Sequence, residues 1–368
     1  MRTIEAALRE QTRALWATLG SLVLGTLVGI VVLWGHTRPF AGDGSIIIPT
    51  AVITASIAAL AFVVSTYLHR HGETQFMPGW QKFISNFSAV AVTIAFGGVT
   101  GISVLLAGQL LSTGLPGLEV SAVEAGVLTG VAAGFAGRFS FQAGIDLSTR
   151  NLAALLFTFL IVGTVFAMIN GAEPTWWERN FSQLGVGTNA WAFNGTIIVA
   201  GLLVATIGSY IGRDLHRLLD DAAVSRITVV VLLWFLSGIS LASVGWFPLD
   251  QRPVAHTIAA FAALAFLVGA AGYTQFVLPT APFVLKAVTV ILVVLVAVAI
   301  VLTFIIPVLS VTALESIVVG LALLWMTTFV RVLSILTPTR SIASKRPRLL
   351  LMEFASGSLP FRRRKHTI

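Results

Sequence analysis

The chain contains no cysteine. Disulfides, thiolate zinc sites, iron–sulfur clusters and cysteine nucleophiles are therefore excluded. Charge is scarce too: only 10% of the 368 residues are Asp, Glu, Lys or Arg, against roughly 25% in soluble domains. Short segments of alternating apolar and polar residues are missing, which argues against a transmembrane barrel. No repeat of fixed period stands out. No ATP-binding signature is present, so a role in an ABC-type complex would require a separate ATPase.

What the chain does have is hydrophobicity, 57% of its residues with a mean hydropathy of +0.94. Apolar runs of about 18 residues or more recur, each long enough to cross a hydrocarbon core ~30 Å thick. The fold class this implies is all-α, a polytopic membrane helix bundle. Ten transmembrane helices are expected, at about 15–35, 46–68, 86–112, 119–137, 150–170, 190–212, 227–246, 254–272, 284–306 and 311–333. The N-terminal "MRTIEAALREQTRALW" is charged and amphipathic with no cleavable pattern, so the first run is expected to be a retained helix and not a signal peptide.

Ten crossings put both termini on one side. With that side cytoplasmic, only Arg38, Arg179 and Arg252 fall outside, and the other 20 of the 23 basic residues fall inside. Such a split follows the positive-inside rule and predicts a multi-pass protein of the bacterial plasma membrane. The 15 acids divide almost evenly between the two sides, so the net charge of +8 is concentrated on the inner one. That accounts for a pI of about 10.8 without a nucleic-acid partner. The expected partners are membrane lipids, with anionic inner-leaflet headgroups attracted by roughly 1 kcal/mol per nearby basic residue, and a membrane protein partner.

Three regions are predicted: a four-helix N-terminal membrane region at 1–145, a six-helix membrane domain at 146–335 carrying the polar motifs, and a basic cytoplasmic tail at 336–368. The tail mixes basic clusters with Leu350–Met352 and Phe354, which suits a poorly ordered anchor on the inner leaflet. In the fourth helix Gly126, Gly130 and Gly134 recur every four residues, the spacing that lets a second helix backbone approach closely. Glu124 and Glu315 fall near outer helix ends, where a carboxylate facing a cavity would handle protons or cations. Arg213, Asp214, His216, Arg217, Asp220 and Asp221 are expected as solvated ion pairs in the inner loop between helices six and seven.

The most polar passage, "EPTWWERNFSQLGVGTNAWAFNG", joins helices five and six on the outer side. Trp176, Trp177, Trp191 and, in the next outer loop, Trp246 suit the headgroup region as interfacial anchors. Glu178, Arg179, Asn180, Ser182 and Asn194, together with Asp250 and His256 of "SVGWFPLDQRPVAH", make a candidate ligand-binding pocket under that aromatic roof. Arg179 and Arg252 match a lipid phosphate or carboxylate, because a guanidinium binds such groups through two donors. A Ser182–His256–Asp250 triad can be written down, but the chain has no G-x-S-x-G elbow to support it. Only His36 and His256 are histidines on the outer side, too few for a membrane metal hydrolase. No catalytic residue, metal or cofactor is assigned.

The two loops carry a resemblance. "NFSQLGVG…WAFNGTIIVAGLL" followed by "SGISLASVGWFPLD…VAHTIAAFAALAF" resembles the bacterial membrane family of domain of unknown function 998, over roughly residues 150–335. The matching positions are Ser182, Leu184, Gly185, Phe193, Asn194, Gly245, Phe247, Pro248, Asp250 and His256. Gln183 stands where the pattern has an acid. The arrangement is more distantly similar to the DRAM-like eukaryotic membrane proteins. The resemblance implies a six-helix membrane unit and marks a site, without lending it a chemistry.

The leading expectation is a membrane protein that binds, and moves or presents, a lipid or lipid-linked envelope precursor through an outward-facing polar pocket. One alternative is an intramembrane lipid- or glycan-modifying enzyme with Asp250 and His256 as acid and base. The other is a permease subunit or structural partner in a larger membrane complex.

Overall fold

A computed structural model describes residues 2–70, 79–145, 147–219, 223–278 and 281–337. Almost all of the basic tail, and Asp220 and Asp221, lie outside the described residues. The ten predicted helices are present: α1 (Arg2–Val32), α2 (Ile47–Arg70), α3 (Gly79–Ser112), α4 (Ala122–Ile145), α5 (Thr149–Asn170), α6 (Ala190–Leu219), α7 (Val224–Trp246), α8 (Pro253–Val277), α9 (Phe283–Phe304) and α10 (Val311–Leu336). Among the described residues, nine are long and apolar enough to cross a membrane. The tenth, α4, is 24 residues long, and its glycines, Glu124 and Arg138 thin its hydropathy.

Large apolar side chains cover the outside of the bundle, with Phe283 83% exposed and Ile335 76% exposed. A soluble protein rarely tolerates so extensive an apolar surface, and in lipid the same surface is solvated by acyl chains. Every helix meanwhile satisfies its backbone hydrogen bonds internally, as a bilayer demands. The chain is an all-α, multi-pass integral membrane protein.

Within the first four helices, α4 packs against both α1 and α2, and α3 packs against α2. The α1–α4 crossing is built from small residues on both sides. A Cβ on Gly126 would collide with the Ile30 side chain, and one on Gly130 would lie 2.7 Å from the Leu22 carbonyl oxygen. From the other helix, a Cβ on Gly29 would lie 2.9 Å from Gly126 Cα. Gly134 faces Leu22. The partner of the predicted glycine face is thus the first helix, whose own Gly25 and Gly29 complete the match.

Helix α3 also packs on α5 and α6 and so joins these helices to the rest. The most buried of the nine spans is α6, which packs along α7 and also contacts α5. Its glycines permit close packing: a Cβ on Gly201 would sit 2.5 Å from the Gly238 carbonyl oxygen of α7. Two turns further along, Gly208 lies against fully buried Trp234, which stacks on Trp325 of α10.

Three boundaries differ from the sequence expectation for identifiable reasons. Helix α1 starts at Arg2 and not near 15, because hydropathy marks only the lipid-buried part of a helix that good helix formers extend. Residues 119–120 are not helical. They form strand β2 (Glu119–Val120), antiparallel to β1 (Arg38–Pro39), and tie the α1–α2 loop to the α3–α4 loop.

Helix α4 then starts behind a reciprocal cap. Glu124 Oε2 accepts from Ser121 N at 2.8 Å and Ser121 Oγ at 2.7 Å, while Glu124 N donates to Ser121 Oγ at 3.4 Å. This S-x-x-E capping box was written in the sequence. It engages the exposed Glu124 carboxylate in capping the first turn of α4.

Helix α6 continues past 212 to Leu219, so Arg213, Asp214, His216 and Arg217 lie on a helix and not in a loop. Asp214 is 8% exposed and accepts a hydrogen bond from Thr149 Oγ1 at the start of α5. Arg213 reaches the same carboxylate at 3.3 Å and Arg217 at 3.9 Å. Burial forces Asp214 to keep partners, which turns an expected solvated ion into a clamp between α5 and α6.

Candidate functional site

After Asn170 the chain leaves α5 through Gly171 and Pro174, and it reaches α6 by way of two short 3₁₀ turns, Trp176–Glu178 and Phe181–Gly185. Leu184, 2% exposed, anchors this connector in a cluster with Phe159, Phe166, Ala192 and Phe193. Trp176 packs on Phe181 at 5.1 Å and edge-on to Trp177 at 6.0 Å. The aromatics thereby fold the connector down onto the helix ends.

Amides fasten it. Asn170 and Gln109 exchange hydrogen bonds at 2.7 and 3.2 Å, and Asn189 donates to the Asn170 carbonyl at 2.9 Å. Asn194, buried in the first turns of α6, donates to the Gly185 carbonyl at 2.9 Å. A Cβ on Gly185 would run into Asn194 Oδ1, so this close approach needs glycine. The partner that a buried Asn194 amide requires is therefore supplied by the connector's own backbone.

The connector is also bonded to α8 and α10. His256 Nε2 lies 2.8 Å from Ser182 Oγ. His256 Nδ1 lies 3.0 Å from the Val244 carbonyl and 2.9 Å from that of Phe247, at the end of α7. A carbonyl oxygen only accepts, so Nδ1 carries the proton. In the neutral ring Nε2 then accepts from the Ser182 hydroxyl. His256 is 5% exposed, while Ser182 is half-buried and keeps some access to solvent.

One residue before Ser182, the Phe181 N–H donates to Glu315 Oε2 of α10 at 2.7 Å. Glu315 and His256 thus bond to neighbouring connector residues, Phe181 and Ser182. Thr312, one turn earlier in α10, donates to the Trp177 carbonyl at 2.8 Å.

The structure brings together only some of the predicted pocket residues. Ser182 meets His256, and Asn194 is spent inside the connector. Asn180 is half-buried, its Oδ1 buried without a hydrogen-bond partner. Glu178, Arg179 and Asp250 are exposed, and among the described residues none of their side chains hydrogen-bonds to Asn194 or His256. Asp250 is in the turn before α8 and does not touch the imidazole, whose Nδ1 is taken by backbone carbonyls. Trp177, Trp191 and Trp246 are 53%, 55% and 71% exposed, at the same end of the bundle as the connector. A concavity of about 260 Å³ lies elsewhere, between α1 and α2, lined by apolar side chains such as Leu24, Val28 and Ile53.

Glu315 and Thr312 complete the arrangement and were not part of the predicted pocket. The sequence singled out Glu315 only as a carboxylate near a helix end and did not single out Thr312, and it could not give their partners, which are more than a hundred residues away in the chain. Among the described residues, no group of three or more His, Asp and Glu is placed to hold a metal ion.

No protein-family model, no curated protein and no solved structure matches the chain. The chemistry of the site therefore has to come from its own geometry.

Proposed function

We propose that this membrane protein binds the anionic polar end of a lipid or lipid-linked precursor on its connector face, and presents or moves it there. The single observation that carries the reading is a pair of free guanidiniums on a fastened platform. Arg179 and Arg252 are exposed, and among the described residues neither makes an ion pair or side-chain hydrogen bond. Arg179 lies three residues before Ser182, between the two 3₁₀ turns, and Arg252 precedes His256 by one helical turn. The Ser182–His256 hydrogen bond ties together the two segments that carry these arginines, and in this reading the pair serves one headgroup.

Trp177 and Trp246, both exposed, lie in the same two segments, and such rings favour the headgroup layer. Guanidinium forks suit phosphate and carboxylate, and near the bilayer surface each adds roughly 1 kcal/mol of attraction for anionic headgroups. The orientation that turns this face outward, and residence in a bacterial plasma membrane, belong to the same proposal. So does the resemblance of residues 150–335 to domain of unknown function 998.

The test is mass spectrometry of lipids retained after extraction in mild detergent. An anionic lipid should co-purify with the wild-type chain and fall several-fold in the double variant Arg179→Gln/Arg252→Gln, with the melting temperature unchanged. Equal retention by both proteins would remove the basis of the proposal.

A further inference from the structure

The Ser182–His256 pair has the geometry of a nucleophile and its base. We propose that Ser182 is an acyl-accepting nucleophile that cleaves a carboxylic ester of the bound lipid, with His256 as its general base. This rests on the lipid-binding reading for the substrate class, and on independent geometry for the chemistry.

Three features carry it. The 2.8 Å contact is within the reach required for proton transfer. The Val244 and Phe247 carbonyls hold the proton on Nδ1, which leaves the Nε2 lone pair aimed at Ser182. In hydrolases a third group does this orienting and stabilises the imidazolium. Here backbone carbonyls orient the ring, and the acid proposed to stabilise the imidazolium is Glu315, which bonds to the same connector turn. Glu315 is itself fixed by the N–H of the residue next to the nucleophile. Asp250, the acid that sequence reasoning would pair with the histidine, takes no part.

The chemistry balances as ester plus water giving alcohol plus acid. Ser182 Oγ attacks the ester carbonyl carbon as its proton moves to His256 Nε2. The carbonyl carbon–oxygen bond to the alcohol breaks, and the imidazolium returns the proton to the departing oxygen. An acyl-Ser182 and a free alcohol, the de-acylated lipid, remain. His256 Nε2 then deprotonates a water that attacks the acyl carbon, releasing the acid and restoring the Ser182 hydroxyl.

A fluorophosphonate probe on the full chain in detergent micelles tests this. The expected result is covalent labelling of the peptide containing Ser182, abolished in Ser182→Ala and slowed at least ~100-fold in His256→Gln, the usual contribution of a general base. Glu315→Gln keeps an oxygen to accept from Phe181 but removes the charge. It should slow labelling without lowering the melting temperature, and Glu315→Asp should restore part of the rate.

Should His256→Gln fail to fold, the cysteine-free background offers a second measurement. In Ser182→Cys, iodoacetamide should react faster than with the exposed thiol of Gln251→Cys, despite the half-buried position. An unlabelled wild-type chain, or slower alkylation of Ser182→Cys than of Gln251→Cys, would reduce the Ser182–His256 pair to a structural fastener and overturn the inference. Lipid retention is read separately: lipid bound without labelling fails only the chemistry, and labelling without bound lipid fails only the lipid-binding reading.

Discussion

At the scale of single residues, the connector face depends on buried polar side chains whose hydrogen bonds fasten it. Asn194 is one. Replacing it by Ala strands the Gly185 carbonyl in an apolar setting, which costs roughly 1–3 kcal/mol. Thermal unfolding followed by tryptophan fluorescence in detergent should show a lowered midpoint for Asn194→Ala. Gly185→Ala should show the same direction of change, because the added methyl collides with the same amide. The sequence did reveal that an amide at 194 needs a partner, and it flagged Ser182 and His256 as chemically interesting. It could not reveal that the imidazole is held by Ser182 and two backbone carbonyls while Glu315 bonds to the residue next to Ser182. Asp250 and Glu315 are both lone acids in the sequence, and only tertiary packing shows which of them bonds to the connector.

At the scale of elements, the helices were legible because each apolar run is long and the bilayer sets a minimum length. Their ends were less so. Apolar content does not report where a hydrogen-bond ladder stops, so α1 and α6 run well past their greasy segments into charged residues. The start of α4 was encoded, in Ser121 and Glu124, yet the carboxylate invited a functional reading instead.

Glycine spacing predicted a close crossing for α4 without naming the partner, since Gly25 and Gly29 are unremarkable in isolation. Two crossings can be compared directly. Gly201→Leu at α6–α7 and Gly130→Leu at α1–α4 each force apart helices that touch by backbone, at a cost of about 1–3 kcal/mol or more. Fluorescence-detected size-exclusion after a heating series should show earlier loss of the folded peak for both. A substitution at Gly320, where a Cβ meets nothing within 4 Å, should behave like the wild type.

At the scale of the whole molecule, α4 decides the topology: if it crosses with the nine apolar spans, the count is even and the two chain ends share a side, which the basic residues predict to be cytoplasmic. The absence of native cysteine makes that orientation directly measurable. Single thiols at Gln251→Cys and Arg226→Cys occupy opposite ends of α7 and α8. A membrane-impermeant maleimide should reach the first in intact cells and the second only after permeabilisation. The reverse pattern would turn the connector face, and the lipid proposal with it, to the wrong side.

The pairing of α1 with α4 also has a consequence in time. Chains are made at ~5–20 residues per second, so the stretch from Gly29 to Gly126 takes on the order of five to twenty seconds to emerge. Throughout that interval the first helix sits in the bilayer with its small-residue groove facing lipid, its eventual mate still unsynthesised. The early stages of biogenesis therefore leave an open seam, and a ribosome stalled before α4 would strand the opening helix without the neighbour it was shaped to meet.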